Sequence, residues 1–405
     1  MNSNSDYDLV LHGGTVVLPD GPFVGDIGIR DGRIAALNQR DDPLARENVL
    51  DVTGLLVLPG VVDTHVHFGL EQGRGAAALA TADDYESGPR QAAHGGVTMF
   101  VDYVIPPGCA PLDEVHARMV QARRSSVIDF SFHAGIVDPS ARSLGDMRVL
   151  AHEGITSFKF FTTYKGWVGV DLGFLTQAFS VCREIQALAA VHCEQDEIVE
   201  YWRERYHQDG YTDLRYHSRS RPDYAEAIAV AEVALLADAM DVPLHVVHLS
   251  SAKGLEVLGN LKKGGVAVSA ETCPHYMEFS DEIYEEDTGY LYTMTPPLRP
   301  KGNQAALWEG VADGRISLLA SDHNGFTREQ KLAEARKDFY HVAPGIPGTE
   351  TLLPYIYTRG YETGRLSLSD LARLLASEPA RRFGIPRKGV IQVGFDADLV
   401  VIDPA

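Results

Sequence analysis

From Leu58 onward, short apolar runs alternate with helix-length segments, and this rhythm restricts the fold more than any other feature of the chain. The runs are residues 61–67, 97–104, 128–136, 155–161, 189–193, 244–249, 266–271 and 316–322. Several are nearly continuous in Val, Ile, Leu and Phe, as strands covered on both faces must be. Between them lie helical stretches such as 224–240, with Pro222 near the start, where proline is tolerated. Eight strands alternating with helices predict an α/β fold, a (β/α)8 barrel. Ahead of it, strand-like segments at 8–11, 15–18, 26–30 and 33–37 are punctuated by Gly13-Gly14, Asp20-Gly21 and Asp31-Gly32. They predict a small β unit, to which the strand-like 397–403 returns. The expected division is a barrel at 58–384 and a small β domain of 1–57 plus 385–405. The polar stretch 195–221 is expected to be a βα loop or lid. There is no repeat of fixed period and no low-complexity segment.

The chain has 405 residues and a formal net charge of -20, which argues against nucleic acid and anionic membranes as partners. Residues 1–11 carry no basic region followed by an apolar stretch, and no apolar run is long enough to span a bilayer. A cytoplasmic location is expected. Cys109, Cys182, Cys193 and Cys273 are widely spaced and read as reduced thiols. Cys193 adjoins His192 but should face the opposite way on a strand.

Barrel enzymes carry their chemistry at the C-terminal ends of the strands. Six residues suited to chemistry fall there: His65, His67, Lys159, His192, His248 and Asp322. In Asp63-Thr64-His65-Val66-His67 the two histidines share one side of a strand, so both imidazoles can reach one ion. His192 and His248 add two nitrogens, and Asp322 a carboxylate, a donor set favoured by zinc and similar ions. Lys159 is flanked by Phe158 and Phe160 on a buried strand, where desolvation lowers an amine's pKa. Two readings of it stand: a buried lysine paired to an acid, or an amine that adds carbon dioxide to become a carbamate.

With these residues in place, the chain resembles the amidohydrolase superfamily, and within it the dihydropyrimidinases and D-hydantoinases. The matching segments are residues 60–67, 157–165, 191–194, 247–251, Glu271-Thr272-Cys273-Pro274-His275, Thr295-Pro296-Pro297-Leu298-Arg299, Ser321-Asp322-His323 and 345–350. The resemblance implies a distorted (β/α)8 barrel with a small β-sandwich domain, and two divalent metal ions, of which zinc is the expected kind. It implies that Lys159 is carboxylated and bridges them, with His65, His67 and Asp322 on one ion and His192 and His248 on the other. Asp322 is then the proton carrier. Tyr164 matches the tyrosine that hydrogen-bonds the oxyanion, and backbone groups around Thr295 grip the ring's amide edge. The implied reaction opens a dihydropyrimidine or 5-substituted hydantoin ring to an N-carbamoyl amino acid. The implied assembly is a homo-oligomer, a tetramer or dimer.

Three departures bear on this. Pro344 stands where hydantoinases often carry an asparagine whose main chain helps hold the ring, so it keeps a carbonyl but has no N–H. Thr295 replaces the family's serine. The chain ends at Ala405, where relatives usually continue with further strands and a tail that reaches a neighbouring subunit. A smaller sandwich or a shortened chain is expected. A cyclic imide hydrolase and an allantoinase are therefore kept as alternatives. A dihydroorotase is disfavoured, since its carboxylate-binding arginine would fall at Gly69, with Arg74 nearby. A non-catalytic scaffold of dihydropyrimidinase type is kept as the reading of another class, opposed by the retention of all six ligand positions. The loops 68–82 and 164–172 are expected to shape the substrate pocket. His323 is expected to face away from Asp322, and His275 is left unassigned.

Overall fold

The structure, a computed structural model, describes residues 7–39, 48–72, 79–106, 108 and 110–404. Cys109, Arg74 and residues 73–78 of the first substrate-shaping loop lie outside these. The described residues pack as two units. One draws on Met1–Asp63, Gln91–Phe100 and Glu350–Ala405, the other on Thr64–Arg90 and Val101–Thr349.

Eight strands form one sheet in which neighbours in sequence are neighbours in space. They are Val61–Val66, Val97–Val104, Asp129–Gly135, Ser157–Phe161, Leu188–His192, Leu244–Val246, Val268–Thr272 and Leu318–Leu319. The pairings from the third strand to the eighth are parallel. A parallel bridge from Val66 to His323 brings the last strand back to the first. This is the (β/α)8 barrel that the alternation predicts. Ser157–Phe161, Leu188–His192 and Val268–Thr272 are buried throughout, which is why their sequences do not alternate. Several connecting helices start at side-chain caps: Ser140 accepts from the Ser143 N–H, Asp171 from Phe174 and Ser251 from Gly254.

Two strands end earlier than their apolar runs suggest, and for one reason. His248 and Asp322 hold φ of 37° and 49°, in the left-handed region, so the ladder cannot continue through them. The run 244–249 is regular only to Val246, and the run 316–322 only to Leu319.

The stretch 195–221, expected as a loop or lid, is largely helical, with helices at Asp196–Gln208 and Arg215–Arg219. Its polarity is that of a solvated helix face. Asp196 and Glu197 lie in the first turn and Arg205 and His207 in the last, each at the end of the helix dipole that suits its charge.

The second sheet has six strands. Its path runs from Leu399–Ile402 through Leu56–Pro59, Leu9–Leu18 and Gly21–Arg30 to Arg33–Gln39, and Val49–Asp51 also pairs with Leu9–Leu18. The returning C-terminal strand pairs antiparallel with Leu56–Pro59. Val16, Ile27, Ile34, Val57 and Ile391 form its core. Gly13-Gly14, read as a turn between two strands, is instead a bulge within one. Gly13 takes φ +76°, and its N–H donates to Asp26 Oδ1 at 3.0 Å, the carboxylate that also holds His12 Nδ1 at 2.6 Å.

Candidate metal centre and active site

Residues at or just past the ends of several barrel strands line a cavity of about 110 Å³. Its walls include all nine residues singled out from the sequence: His65, His67, Lys159, Tyr164, His192, His248, Thr295, Asp322 and Pro344. Leu70 and Glu71 from the first expected loop, and Trp167 and Val168 from the second, complete the rim. A larger chamber of about 300 Å³ shares Tyr164, Trp167, Thr295 and Pro344 with it and adds Arg203, Phe339 and Tyr340.

His65 Nε2 and His67 Nε2 lie 3.2 and 3.3 Å from Asp322 Oδ1. One donor atom from each of the three lies within 4.8 Å of the others, a spacing open to a metal ion. Opposite them, His192 Nδ1 faces His248 Nε2 at 3.0 Å. These separations suit ligands held about 2.0–2.2 Å from a shared ion. Burial lowers the pKa of His65, His192 and His248, which favours the neutral, metal-binding imidazole. The donor set therefore fits divalent ions.

A second layer of acids orients the histidines. His65 Nδ1 pairs with Glu271 Oε1, whose Oε2 holds His245 Nε2 at 3.0 Å. His192 Nε2 lies 2.8 Å from Glu194 Oε2, which also pairs with Arg221. Burial pushes both carboxyls up, but the Arg221 charge and the imidazole hydrogen bonds outweigh it. Arg221 and His192 hold Glu194 at about 2, and His65 with His245 hold Glu271 well below the carboxylate range. Such acids fix the tautomer and ring direction of a ligating imidazole. The loop after His248 is pinned by Glu226, which accepts from the N–H groups of Ser250 and Ser251 at 2.9 Å each.

Lys159 is 1% exposed, with its amine 4.6 Å from the Tyr103 ring centre and 5.1 Å from that of Phe161. Burial brings it down to about 8, against the pull of Glu271 and Asp322. About one amine in ten is then neutral near pH 7. Tyr164, at φ 66°, donates from its phenol to Thr295 Oγ1 at 2.7 Å. Burial raises its pKa, so it stays a donor. His323 turns to Asp83, 3.0 Å away, and accepts the Gly348 N–H. His275 is buried against Tyr276. Cys193 donates to the Val191 carbonyl, and burial pushes its thiol well up, which removes it from the ligands.

Several residues of the site were not picked out by the sequence. Glu194 had a signal: it lies two residues past His192 at the end of a buried strand. Glu271 had one too, as the only charge in the run 266–271. Lys331 had none, since it sits in a polar helix, yet it is 3% exposed. Its amine donates to Thr293 O at 2.8 Å and Thr293 Oγ1 at 3.1 Å. Thr293 O also accepts from Gly345, and Thr293 Oγ1 donates to Ala343 O. Lys331 thus ties together the two segments that bring Thr295 and Pro344 to the cavity.

Burial lowers Lys331 from 10.5 to about 7. Between those values the unfolded chain binds the extra proton, so this lysine's stability contribution is full above 10.5 and lost as pH falls to about 7. Lys331→Met is expected to flatten the rise in stability with pH across that window, read as urea midpoints of variant and wild type. Parallel curves would show that the amine stays charged in the fold.

Comparison with known proteins adds to this geometry. The amidohydrolase family profile matches residues 56–405. A D-phenylhydantoinase of Escherichia coli O9:H4 (strain HS) is 35% identical over 400 residues, which cover 98% of this chain and 86% of that protein. The dihydropyrimidinase from Brevibacillus agri NCHU1002 superposes with a TM-score of 0.93 at 31% identity, over 98% of this chain and 86% of that one. The L-hydantoinase from Arthrobacter aurescens gives 0.88 at 29%, over 97% and 86%.

Proposed function

The chain belongs to the amidohydrolase family, and from that premise we propose that it opens a cyclic amide ring by metal-dependent hydrolysis. With a dihydropyrimidine or 5-substituted hydantoin the product is an N-carbamoyl amino acid. The observation that carries this reading is the convergence of four imidazoles, a carboxylate and a buried amine on one cavity beside a phenol donor.

In this reading His65, His67 and Asp322 would hold one divalent ion and His192 and His248 a second, with Lys159, as its carbamate, serving both. Zinc suits the donors. When bound, the ions supply hydroxide near neutral pH and polarise the scissile carbonyl. Asp322 is the proton carrier. Burial raises its pKa, but His65 and His67 bring it to about 2, so it is ionised and ready to accept. It takes the proton of the attacking oxygen and passes it to the ring nitrogen as the C–N bond breaks. Tyr164 donates to the tetrahedral oxyanion, and Thr295 and Pro344 grip the ring. Glu271 and Glu194 hold the histidine rings in place throughout.

Tyr164→Phe is expected to lower kcat about 10²-fold, the usual loss for one oxyanion donor, with a smaller change in KM. An unaltered kcat would remove Tyr164 from this role.

A cyclic imide is the second reading, favoured by Pro344, which offers a carbonyl without an N–H. Allantoin is the third ring to test. The deciding experiment measures ring-opening rates of zinc- and bicarbonate-reconstituted protein on dihydrouracil, 5-substituted hydantoins, allantoin, dihydroorotate and succinimide- or phthalimide-type imides. Turnover on one ring names the substrate class. No turnover and no bound metal would leave the scaffold reading.

For function, residues 58–384 are taken as the hydrolase barrel, and 1–57 with 385–405 as the small sheet domain. A reducing, cytoplasmic setting is proposed, in keeping with the buried thiols of Cys182, Cys193 and Cys273. No helix among the described residues is long and apolar enough to cross a membrane. A homotetramer or dimer is proposed on resemblance alone.

A further inference from the structure

One side chain of the cavity wall has no task in the scheme above. Asn324 is 6% exposed and lines the same cavity as the metal ligands. Its backbone N–H donates to Ile346 O at 3.0 Å, and its Nδ2 donates to Pro344 O at 3.1 Å. A proline carbonyl can only accept, so the carboxamide nitrogen must face it, which assigns the oxygen to the other branch. That Oδ1 is buried and, among the described residues, has no hydrogen-bond partner.

The carboxamide is also held from outside. Gly345 lies flat against it: a Cβ there would meet Asn324 Cγ at 2.6 Å and Asn324 O at 2.5 Å, and φ is +149°. Only glycine allows this approach. A buried acceptor in a fixed rotamer cannot turn to bulk water, and leaving it unmet is unfavourable. Asn324 therefore lines a substrate cavity while its acceptor, closed over by its neighbours, keeps hydrogen-bonding capacity to spare.

We propose that Asn324 is a substrate-binding residue whose carboxamide reads an N–H of the cyclic amide, selecting rings with an unsubstituted nitrogen at that position. This rests on the cyclic-amide reading of the site. A ring N–H completes the orphan acceptor. An N-alkyl group at the same place leaves it unmet and crowds it. Recognition of this kind rejects the analogue lacking the donor more strongly than apolar contact could.

The test compares a 5-substituted hydantoin with its two mono-N-methyl analogues, in wild type, Asn324→Leu and Asn324→Ala. Wild type is expected to disfavour one methyl analogue by about tenfold or more in kcat/KM. In Asn324→Leu the parent ring should lose about tenfold, mainly through KM, and the preference over that analogue should shrink toward one. Asn324→Ala should narrow it likewise, and serves if the leucine variant does not fold. If both variants lose activity on all three rings in equal proportion, Asn324 is structural and the proposal falls. Wild type that does not discriminate among the three rings also overturns it. Wild type that binds two metals and opens none of the rings overturns the cyclic-amide reading itself, and this inference with it.

Discussion

Lys159→Ala is expected to cut ring-opening turnover on the order of 10³-fold or more, the several kcal/mol that a polarising metal centre contributes to hydrolysis. The amine is buried between two aromatic faces and sits at about 8, so a neutral fraction is available to add carbon dioxide near pH 7. A carbamate there replaces a buried cation by an anion, which suits a site crowded with imidazoles awaiting cations. Lys159→Met fills the same space and cannot form the carbamate, so it separates packing from chemistry. Both variants should lose turnover and bind less than the wild-type complement of metal, read by elemental analysis of the purified protein. Full turnover in Lys159→Met would end the bridging role and leave Lys159 as a structural lysine.

Asp322→Asn should be nearly as damaging, by about 10² to 10⁴-fold in kcat, the usual range for a positioned proton carrier. Asparagine keeps the shape and tolerates the left-handed backbone at φ 49° that Asp322 occupies. The loss can therefore be assigned to the carboxylate and not to misfolding. Its circular dichroism and unfolding midpoint should stay close to wild type while turnover vanishes. Retained turnover would move the proton transfer to another group, with His275, buried and in the electrostatic reach of Asp322, the next to examine.

The barrel and the residues that gather at its cavity were legible because both write themselves locally. Buried parallel strands are apolar without alternation, and a histidine or aspartate at the end of such a run stands out against it. Strand lengths were not legible at His248 and Asp322, because nothing in Val246-Val247-His248 or Ser321-Asp322-His323 announces a left-handed residue. Gly13-Gly14 looked like a turn because a bulge and a turn use the same residues. The helix Asp196–Gln208 looked like a loop because only Asp196 and Val199 face inward, too few to set a helical period. Lys331 and Asn324 were invisible for a different reason. Their partners, Thr293 and Pro344, come from segments 38 and 20 residues away, and no local pattern encodes a contact at that distance.

The left-handed backbones of Tyr164, His248 and Asp322 also bear on how such a protein changes over generations. Each is held in a conformation unfavourable by roughly 1 kcal/mol or more for a residue with a Cβ. Glycine at any of the three relieves that strain and removes the group the chemistry needs. A lineage selected for thermal robustness alone would be drawn toward glycine at these positions and drift into an inert barrel. In the proposed chemistry that strained backbone carries an imidazole, a carboxylate and a phenol, so activity and endurance pull these three positions in opposite directions.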